Sequence, residues 1–286
     1  MPAVHHRTVT VEGFEVFYRE AGPADAPVML LLHGYPTSSH MFRHLIPALA
    51  DSYRVIAPDH IGFGRSSAPS VDDFEYTFDR LAHVTRSFLD SIGVTRFTVY
   101  TQDYGAPIAW RLALHDPNSV EGVISQNGNA YEEGFVSDFW APIWAYGQDP
   151  SPENERALRP ALDRDAVEWQ YVHGVPDSSV VDPDAWEHDL ALHARPGNDL
   201  VQLALFGDYR TNRAMYPEVQ AWLRASLVPV LAIWGRNDEI FDAEGAGAFR
   251  RDAPHARVEL LDGGHFLLES HLDEVVDVIL EWRATF

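Results

Sequence analysis

Phe97-Thr-Val-Tyr-Thr-Gln-Asp103-Tyr-Gly105-Ala106-Pro107 is the most informative stretch of this sequence for predicting the fold. A helical pattern over Ile108–His115 follows it. The apolar and β-branched residues before Asp103 predict a buried strand that turns at once into a helix. Because Gly105 and Ala106 are small, strand and helix can approach closely, and the turn pushes the Asp103 side chain out over the sheet. No Gly-x-Ser-x-Gly motif occurs in the chain. The pattern therefore predicts a strand–turn–helix site whose nucleophile is a carboxylate, Asp103.

Segments before and after this turn alternate between strand-like and helix-like patterns, as in an α/β sheet. Unbroken apolar runs such as Val28–Leu32 are typical of strands covered on both faces. The predicted strands are Thr8–Glu12, Phe14–Arg19, Val28–Leu32, Tyr53–Ala57, Phe97–Thr101, Val120–Ser125, Pro229–Trp234 and Arg257–Leu261. The predicted helices are Met41–Ala50, Phe74–Ile92, Ile108–His115 and Leu272–Arg283. The sequence thus predicts an α/β fold with a mostly parallel sheet flanked by helices.

The composition changes between residues 131 and 227. This part has no long strand-like run, holds five of the eight tryptophans and is divided into short helical pieces by prolines. Strand-like sequence resumes only after it. We therefore expect a core formed by residues 1–130 and 228–286, with residues 131–227 inserted between them as a helical lid, or cap.

A second motif, Leu31-Leu32-His33-Gly34-Tyr35-Pro36, ends an early buried strand. Backbone N–H groups in such a turn can stabilise negative charge that develops on a reacting group. We expect the N–H of Tyr35 and that of Tyr104, the residue after Asp103, to form an oxyanion hole. His33 lies beside a glycine and is expected to stabilise the turn rather than to act as a base.

Two further motifs supply the remaining groups of a catalytic triad. Asp238 follows the predicted strand that ends at Trp234, and Gly263-Gly264 release His265 from the end of the last strand. The nucleophile thus comes first in the chain, the acid second and the histidine last, an order that resembles that of the α/β-hydrolase triad. We predict that Asp103, Asp238 and His265 act together.

Other polar residues near strand ends are alternatives for the acid. Asn127 follows the predicted strand Val120–Ser125, and Glu132 and Glu133 lie a few residues further along the chain. The loop Asp59–Ser66 also follows a strand, but its Asp, Gly and Ser residues are typical of a turn. We interpret that loop as scaffold.

The composition limits what the protein can bind. The chain has 286 residues and a net charge of −22, and such a field repels nucleic acid and anionic lipid. It has no cysteine, and no apolar run approaches the ~20 residues that span a bilayer. A Gly-rich phosphate loop and a clustered His/carboxylate metal set are both absent from the sequence. We expect a cytoplasmic monomer or homodimer that uses a small-molecule substrate and water, with no cofactor, metal, nucleic acid or membrane.

The sequence resembles the epoxide hydrolase and haloalkane dehalogenase branch of the α/β-hydrolase superfamily. The resemblance covers nearly the whole chain and is strongest at His33–Pro36, Asp59–Ser66, Gln102–Pro107, Asp238 and Gly264–Phe266. It implies an α/β-hydrolase fold and a mechanism in two steps. The Asp attacks a carbon to form an ester, and water activated by the His then hydrolyses that ester while the second carboxylate orients the His.

The same resemblance favours epoxide hydrolysis over dehalogenation. Haloalkane dehalogenases typically have Trp after the nucleophile to hold the halide, and fluoroacetate dehalogenases have Arg, whereas this chain has Tyr104. Epoxide hydrolases use lid tyrosines as acids, and their His-Gly-x-Pro motif carries an aromatic residue, here Tyr35. The segment Asp208–Asn212 resembles their tyrosine segment, which makes Tyr209 the expected acid.

Other lid residues have open roles. Tyr146, in the segment Tyr146-Gly-Gln-Asp-Pro150, is either a second acid or part of the lid packing. Trp140 and Trp144 are expected to line the substrate site or to pack the lid. An Asp-Tyr-Arg segment like that at Tyr209 also occurs in fluoroacetate dehalogenases, so a haloalkane or haloacid dehalogenase is the alternative function. A non-catalytic receptor for a small ligand, on the same fold, is a minor alternative.

Overall fold

One eight-stranded sheet forms the centre of the structure, a computed structural model that describes residues 2–286. Its strands are β1 (His5–Val11), β2 (Phe14–Ala21), β3 (Val28–Leu32), β4 (Arg54–Pro58), β5 (Phe97–Gln102), β6 (Val120–Gln126), β7 (Val230–Gly235) and β8 (Arg257–Leu261). They follow the order β1-β2-β4-β3-β5-β6-β7-β8 across the sheet. β2 pairs antiparallel with β1 and β4, and the other neighbours pair parallel. The predicted mostly parallel sheet is confirmed.

Helices cover the sheet and fill the segment between β6 and β7. They are α1 (Leu45–Leu49), α2 (Phe78–Ser91), α3 (Gly105–His115), α4 (Ser137–Gln148), α5 (Pro152–Leu158), α6 (Arg164–Val172), α7 (Pro183–His193), α8 (Asn198–Asp208), α9 (Arg210–Ser226), α10 (Ala243–Asp252), α11 (Leu267–Ser270) and α12 (Leu272–Arg283). Six of them, α4 to α9, lie between β6 and β7. Across residues 2–286, none of the helices combines the length and the apolar character needed to cross a membrane.

The parallel part of the sheet positions the polar residues named above. Every residue of β5 and β7 is buried, so both faces of these strands are covered by other elements. The carboxyl ends of parallel strands meet at one edge of a sheet, where ligands of open α/β sheets bind. That edge carries Tyr35 after β3, Asp103 after β5, Asp238 after β7 and His265 after β8.

The predicted helix over Met41–Ala50 is wrong in its extent. The structure has a 3₁₀ helix at Ser39–Phe42 and a separate short helix, α1, at Leu45–Leu49. Pro47 lies in this stretch. It has no N–H to donate, and its ring would clash with the carbonyl group of Arg43 in a continuous helix. The proline therefore divides the segment in two.

The turn between β5 and α3 depends on two glycines. Asp103 has a φ of +48°, in the left-handed region that non-glycine residues rarely adopt. A Cβ atom on Gly105 would lie 2.1 Å from the carbonyl oxygen of Leu32, and one on Gly34 would lie 2.3 Å from the Cβ atom of Asp103. The elements therefore approach so closely that only glycine fits at either position without a shift of the backbone.

We predict that Gly105→Ala lowers the free energy of unfolding by about 2 kcal/mol or more, because the added methyl group must displace the Leu32 backbone. Gly247→Ala is the matched control, since Gly247 lies within α10 and a Cβ atom there meets nothing within 4 Å. That change should stabilise the protein by about 0.5–1 kcal/mol, because alanine is the better helix former. Urea unfolding of both variants measures the difference. Equal effects would contradict the close packing at Gly105.

Candidate active site

The two oxygens of the buried Asp103 carboxylate have different environments. Oδ1 accepts hydrogen bonds from the backbone N–H of Tyr35, at 2.9 Å, and from that of Tyr104, at 2.5 Å. Both backbone hydrogen bonds end on Oδ1, so neither of these N–H groups occupies a lone pair of Oδ2. The two N–H groups predicted as an oxyanion hole thus hold an oxygen of Asp103 itself.

The Asp103 carboxyl titrates at an unusually high pH for an aspartate. Burial raises its pKa from 3.8 to about 6. The charge of His265 and the N–H groups of Tyr35 and Tyr104 act in the opposite direction and limit this rise. A pKa of about 6 still leaves most of the carboxyl ionised at neutral pH. Asp103 is therefore present as an anion without a base to deprotonate it.

His265 and Asp238 form a buried pair at the ends of β8 and β7. Nδ1 of the imidazole lies 2.8 Å from Oδ2 of the carboxylate. Burial disfavours the charged imidazole, but Asp238 and, after it, Asp103 outweigh this effect and raise the pKa of His265 above its ordinary value. Because Nδ1 faces Asp238, Nε2 is left for other partners.

Asn127, at the end of β6, orients this acid. Its Nδ2 atom donates to Oδ2 of Asp238 at 2.6 Å, and its Oδ1 atom accepts from the N–H of Gly235 at 3.1 Å. The other carboxylate oxygen, Oδ1 of Asp238, accepts from the N–H of Ile240 at 2.7 Å. The strand end considered as an alternative source of the acid thus holds Asp238 in place.

The remaining alternatives for the acid have other partners. Glu132 forms an ion pair with Arg213, and Glu133 forms one with Arg251. Both glutamate side chains are well exposed, whereas Asp238 is buried. The geometry therefore favours Asp238 as the partner of the imidazole.

Gln102, to which no sequence pattern assigns a role, contacts the imidazole directly. Its Nε2 atom lies 2.6 Å from Nε2 of His265, although 163 positions separate the two residues. When His265 is neutral, the amide can donate to the lone pair of the imidazole, whereas an imidazolium would require the amide oxygen to face it. The only available signal was the position of Gln102 immediately before Asp103.

Tyr209, the predicted acid, lies buried between α8 and α9 among aromatic rings. Its ring centroid is 4.5 Å from that of Trp140 and 5.8 Å from that of Tyr104. Burial raises the pKa of the Tyr209 phenol well above its usual value. The hydrogen-bonding partner of this phenol, the hydroxyl of Tyr216, adds to the rise, and so does the charge of Asp103. The phenol therefore keeps its proton within electrostatic reach of the carboxylate.

Tyr146, predicted as either a second acid or part of the packing, points elsewhere. It follows Trp144 by two residues, which places it roughly 200° around the helix. It lines a surface groove, and the charged groups that act on its pKa after burial are Glu155 and Arg159. The structure does not bring Tyr146 to the carboxylate, and Tyr216 is the tyrosine between β6 and β7 that pairs with the predicted acid.

Trp140 and Trp144 contribute aromatic surfaces. Their rings stack with centroids 5.0 Å apart on α4. The Trp140 indole N–H donates to the carbonyl oxygen of Ile240 at 2.8 Å, so it is not free to bind another acceptor. The guanidinium of Arg213 lies 4.7 Å from the centroid of the Trp144 ring. Trp140 can therefore offer the site a ring face but not its N–H.

His33 and Asp59 bind backbone groups of neighbouring turns. Nε2 of His33 accepts from the N–H of His60 at 3.1 Å, and burial lowers the pKa of His33 to about 4. Asp59 accepts from the N–H groups of Ser39 and Arg65, each at 2.7 Å. These contacts are those of residues that hold turns. Among residues 2–286, no three His, Cys, Asp or Glu side chains are grouped so that they could hold a metal ion.

Known proteins resemble this one over nearly the whole chain. A family model described as alpha/beta hydrolase fold matches residues 27–272. The uncharacterized hydrolase YNR064C of Saccharomyces cerevisiae is 44% identical over 98% of this chain and 97% of its own length. A haloalkane dehalogenase of Mycobacterium marinum is 28% identical over 93% of this chain and 88% of its own length. The structure of epoxide hydrolase CorEH matches with a TM-score of 0.78 at 21% identity over 99% of both chains, a likeness of fold alone.

We predict that Asp238→Asn lowers the pKa of His265, because it removes the negative charge that stabilises the buried imidazolium. Proton NMR titration measures this pKa, and the His265 resonance is identified by its absence in His265→Gln. Asp262→Asn is the matched control. Asp262 lies in the same loop as His265, but its Oδ1 accepts a hydrogen bond from Asn237. An unchanged pKa in Asp238→Asn would show that another group sets the charge of the imidazole.

Proposed function

Because this chain belongs to the α/β-hydrolase fold family, in the branch that includes haloalkane dehalogenases and epoxide hydrolases, we propose that it is an epoxide hydrolase with Asp103 as its nucleophile. The observation that carries the proposal is the placement of the Asp103 carboxylate, with Oδ1 bound by two backbone N–H groups and Oδ2 free of them. Negative charge develops on an oxygen held in this way when an ester of Asp103 is hydrolysed. The proposed substrate is a small or medium-sized, uncharged epoxide.

In the first step, Oδ2 of Asp103 attacks one carbon of the epoxide, the C–O bond of the ring breaks and an ester forms. The ring oxygen becomes an alkoxide, which is a strong base and a poor leaving group. Tyr209 gives it a proton, since its buried phenol is still protonated at neutral pH and lies near Asp103. Tyr216, the hydrogen-bonding partner of Tyr209, is a second phenolic donor for the same oxygen. Donors that act on the developing charge lower the barrier.

In the second step, a water molecule displaces the Gln102 amide from Nε2 of neutral His265 and gives this nitrogen a proton, and the oxygen of that water attacks Cγ of Asp103. The N–H groups of Tyr35 and Tyr104 stabilise the charge that develops on Oδ1. The ester bond then breaks, His265 gives its proton to the leaving alkoxide, and the proton on the regenerated carboxyl returns to Tyr209. The product is a vicinal diol, and Asp238 orients the imidazole throughout.

Ester formation also prepares the base for this second step. The charge of Asp103 is one of the causes that raise the pKa of His265. An ester carries no charge, so this cause disappears once Asp103 is alkylated. The imidazole then loses its proton more easily at the stage where it must be neutral.

The groups above Asp103 favour an epoxide over a halide. Dehalogenases of the branch typically bind the departing halide with indole N–H groups, yet the Trp140 N–H donates to a backbone carbonyl and Tyr104 occupies the position after the nucleophile. An opening epoxide needs phenolic donors, and the buried Tyr209 lies within reach of the charge of Asp103, with the buried Tyr216 as its hydrogen-bonding partner. These observations support epoxide hydrolysis.

A dehalogenase is the second candidate function. The haloalkane dehalogenase relative supports it, as does the Trp144 ring, whose centroid lies 6.0 Å from that of Tyr209. Ester formation at Asp103 is common to both reactions, and only the leaving group differs. A screen of simple epoxides and haloalkanes side by side distinguishes them.

Residues 131–227 act as a lid in this proposal, and residues 1–130 and 228–286 act as the catalytic core. The lid supplies aromatic side chains that lie against the core: the Phe206 ring centroid is 5.3 Å from that of Tyr35, and the Trp140 centroid is 5.2 Å from that of Phe241. An apolar cover of this kind excludes water and strengthens the electrostatic interactions beneath it.

We predict that His265→Gln accumulates the ester. The first step does not need the imidazole, whereas the second needs it as the base. Mass spectrometry after exposure to a substrate should show an adduct on the peptide that contains Asp103, and Asp103→Ala, verified as folded by circular dichroism, should show none. The adduct carries the full mass of an epoxide but the mass of a haloalkane without its halide. An adduct on another residue would overturn the mechanism, and binding without any adduct would indicate a receptor.

We predict that Tyr209→Phe lowers the rate of ester formation from epoxides by about 10²-fold or more, since general acids typically contribute about 10²–10⁴-fold. The change keeps the ring and removes only the donor. Tyr216→Phe should add to the loss, and Tyr146→Phe is the control that should leave the rate unchanged. Pre-steady-state kinetics measure these rates. Normal rates in Tyr209→Phe, or halide release by the wild type without epoxide turnover, would favour the dehalogenase.

A further inference from the structure

Three of the buried polar atoms that lack a hydrogen-bond partner among residues 2–286 are Oε1 of Gln102, the hydroxyl oxygen of Tyr104 and Oε1 of Gln202. Gln102 already contacts His265, so the latter two are the ones to which no role has been assigned. Both side chains are almost completely buried. A buried polar atom without a partner is uncommon and costs free energy unless water or a ligand satisfies it. Such atoms mark the place where a polar group of a ligand would bind.

Gln202 faces the nucleophile side of the structure because of its position on α8. Asn198, Gln202 and Phe206 follow one another at intervals of four residues and therefore lie along one face of the helix. At one end of this face, Nδ2 of Asn198 donates to the carbonyl oxygen of Gly62 at 3.0 Å. At the other end, the Phe206 ring centroid is 6.3 Å from that of Tyr104. Gln202 lies between these two contacts.

The Tyr104 ring reaches the same region from the core. Its centroid is 6.5 Å from that of Phe63, the residue after Gly62, and 5.0 Å from that of Phe78. Burial and the charge of Asp103 raise the pKa of the Tyr104 phenol well above its usual value, so the hydroxyl keeps its hydrogen. It can therefore donate a hydrogen bond within otherwise aromatic surroundings.

The direction of the Gln202 amide is fixed by its neighbour. Nδ2 of Asn198 is used by the carbonyl of Gly62, which leaves Oδ1 of Asn198 as an acceptor, and Nε2 of Gln202 lies 3.4 Å from that oxygen. The reverse orientation would place two oxygens against each other. Oε1 of Gln202 must therefore face away from Asn198 as an acceptor.

We propose that the Tyr104 hydroxyl and Oε1 of Gln202 form a polar subsite for a hydroxyl group of the substrate, so that the preferred substrates are epoxy alcohols. A substrate hydroxyl group can accept from Tyr104 and donate to Gln202 at once. A carboxylate has no hydrogen for Gln202 and would be repelled by Asp103. Because Tyr104 directly follows Asp103, the hydroxyl must lie close to the epoxide ring. This inference rests on the proposed epoxide hydrolase function.

Three epoxides test the subsite by turnover: glycidol, its methyl ether and butylene oxide, in which a methyl group replaces the hydroxyl. For the wild type, kcat/KM should be about tenfold higher for glycidol than for the ether, since a site built around a hydrogen bond disfavours an analogue that cannot make it. Gln202→Met should bring this ratio near one by lowering kcat/KM for glycidol. Gln220→Met is the matched control, because the Gln220 amide donates to the carbonyl of Ala130 elsewhere on the protein.

Ligand-observed NMR with the isomers butanol and methyl propyl ether tests the subsite without turnover. The wild type should bind the alcohol more tightly, and Gln202→Met should lose this preference. Epoxide turnover with equal preference for alcohol and ether would overturn the subsite and leave the proposed function standing. A Gln202-dependent preference for the alcohol without epoxide turnover would support the subsite and overturn the proposed function. A preference for alcohols that persists in Gln202→Met would overturn the assignment of Gln202.

Discussion

The backbone turn at Asp103 is the constraint on which the rest of the site depends. A left-handed φ at a residue other than glycine costs about 1–3 kcal/mol and persists only where the surroundings impose it. Gly34 and Gly105 have no side chain, so β3 and α3 close on the turn from both sides. The same approach brings the N–H of Tyr35 to 2.9 Å from Oδ1 of Asp103. The arrangement that strains the backbone thus also binds one oxygen of the carboxylate and leaves the other exposed to a substrate.

Three buried ionisable groups at this edge of the sheet then depend on one another. Burial favours the neutral forms of Asp103 and His265, while the attraction between them favours the charged forms. Asp238 favours the charged form of His265 and disfavours that of Asp103, and it is oriented by Asn127 and by the N–H of Ile240. Interactions between charges are strong in a site from which water is excluded. The protonation of the site therefore changes as a unit, so that a chemical change at the nucleophile alters the basicity of the imidazole.

Local sequence patterns were sufficient to predict the strands and the order of the candidate site residues along the chain. Val28–Leu32 and Arg257–Leu261 have the predicted bounds, and the other predicted strands are also present with somewhat different ends. Runs of apolar and β-branched residues predict such strands locally, and turn residues mark where they end. Asp103, Asp238 and His265 are assigned to strand ends by these same local patterns. Their proximity follows because parallel strands end at one edge of the sheet.

The side chains that surround these residues could not be predicted from local patterns, because they come from distant parts of the chain. Gln102 contacts His265 although 163 positions separate them in the chain. Gln102 ends β5 and His265 follows β8, and these two strands are not neighbours in the sheet, so no local sequence pattern predicts the contact. Tyr216, rather than Tyr146, lies beside Tyr209, because the rotation of each helix against the sheet selects the residue that faces inward. The sequence specifies short helices between β6 and β7 through their prolines and periodicity. How these helices pack, and hence which polar atoms they bring to the nucleophile, depends on the shape of the core beneath them.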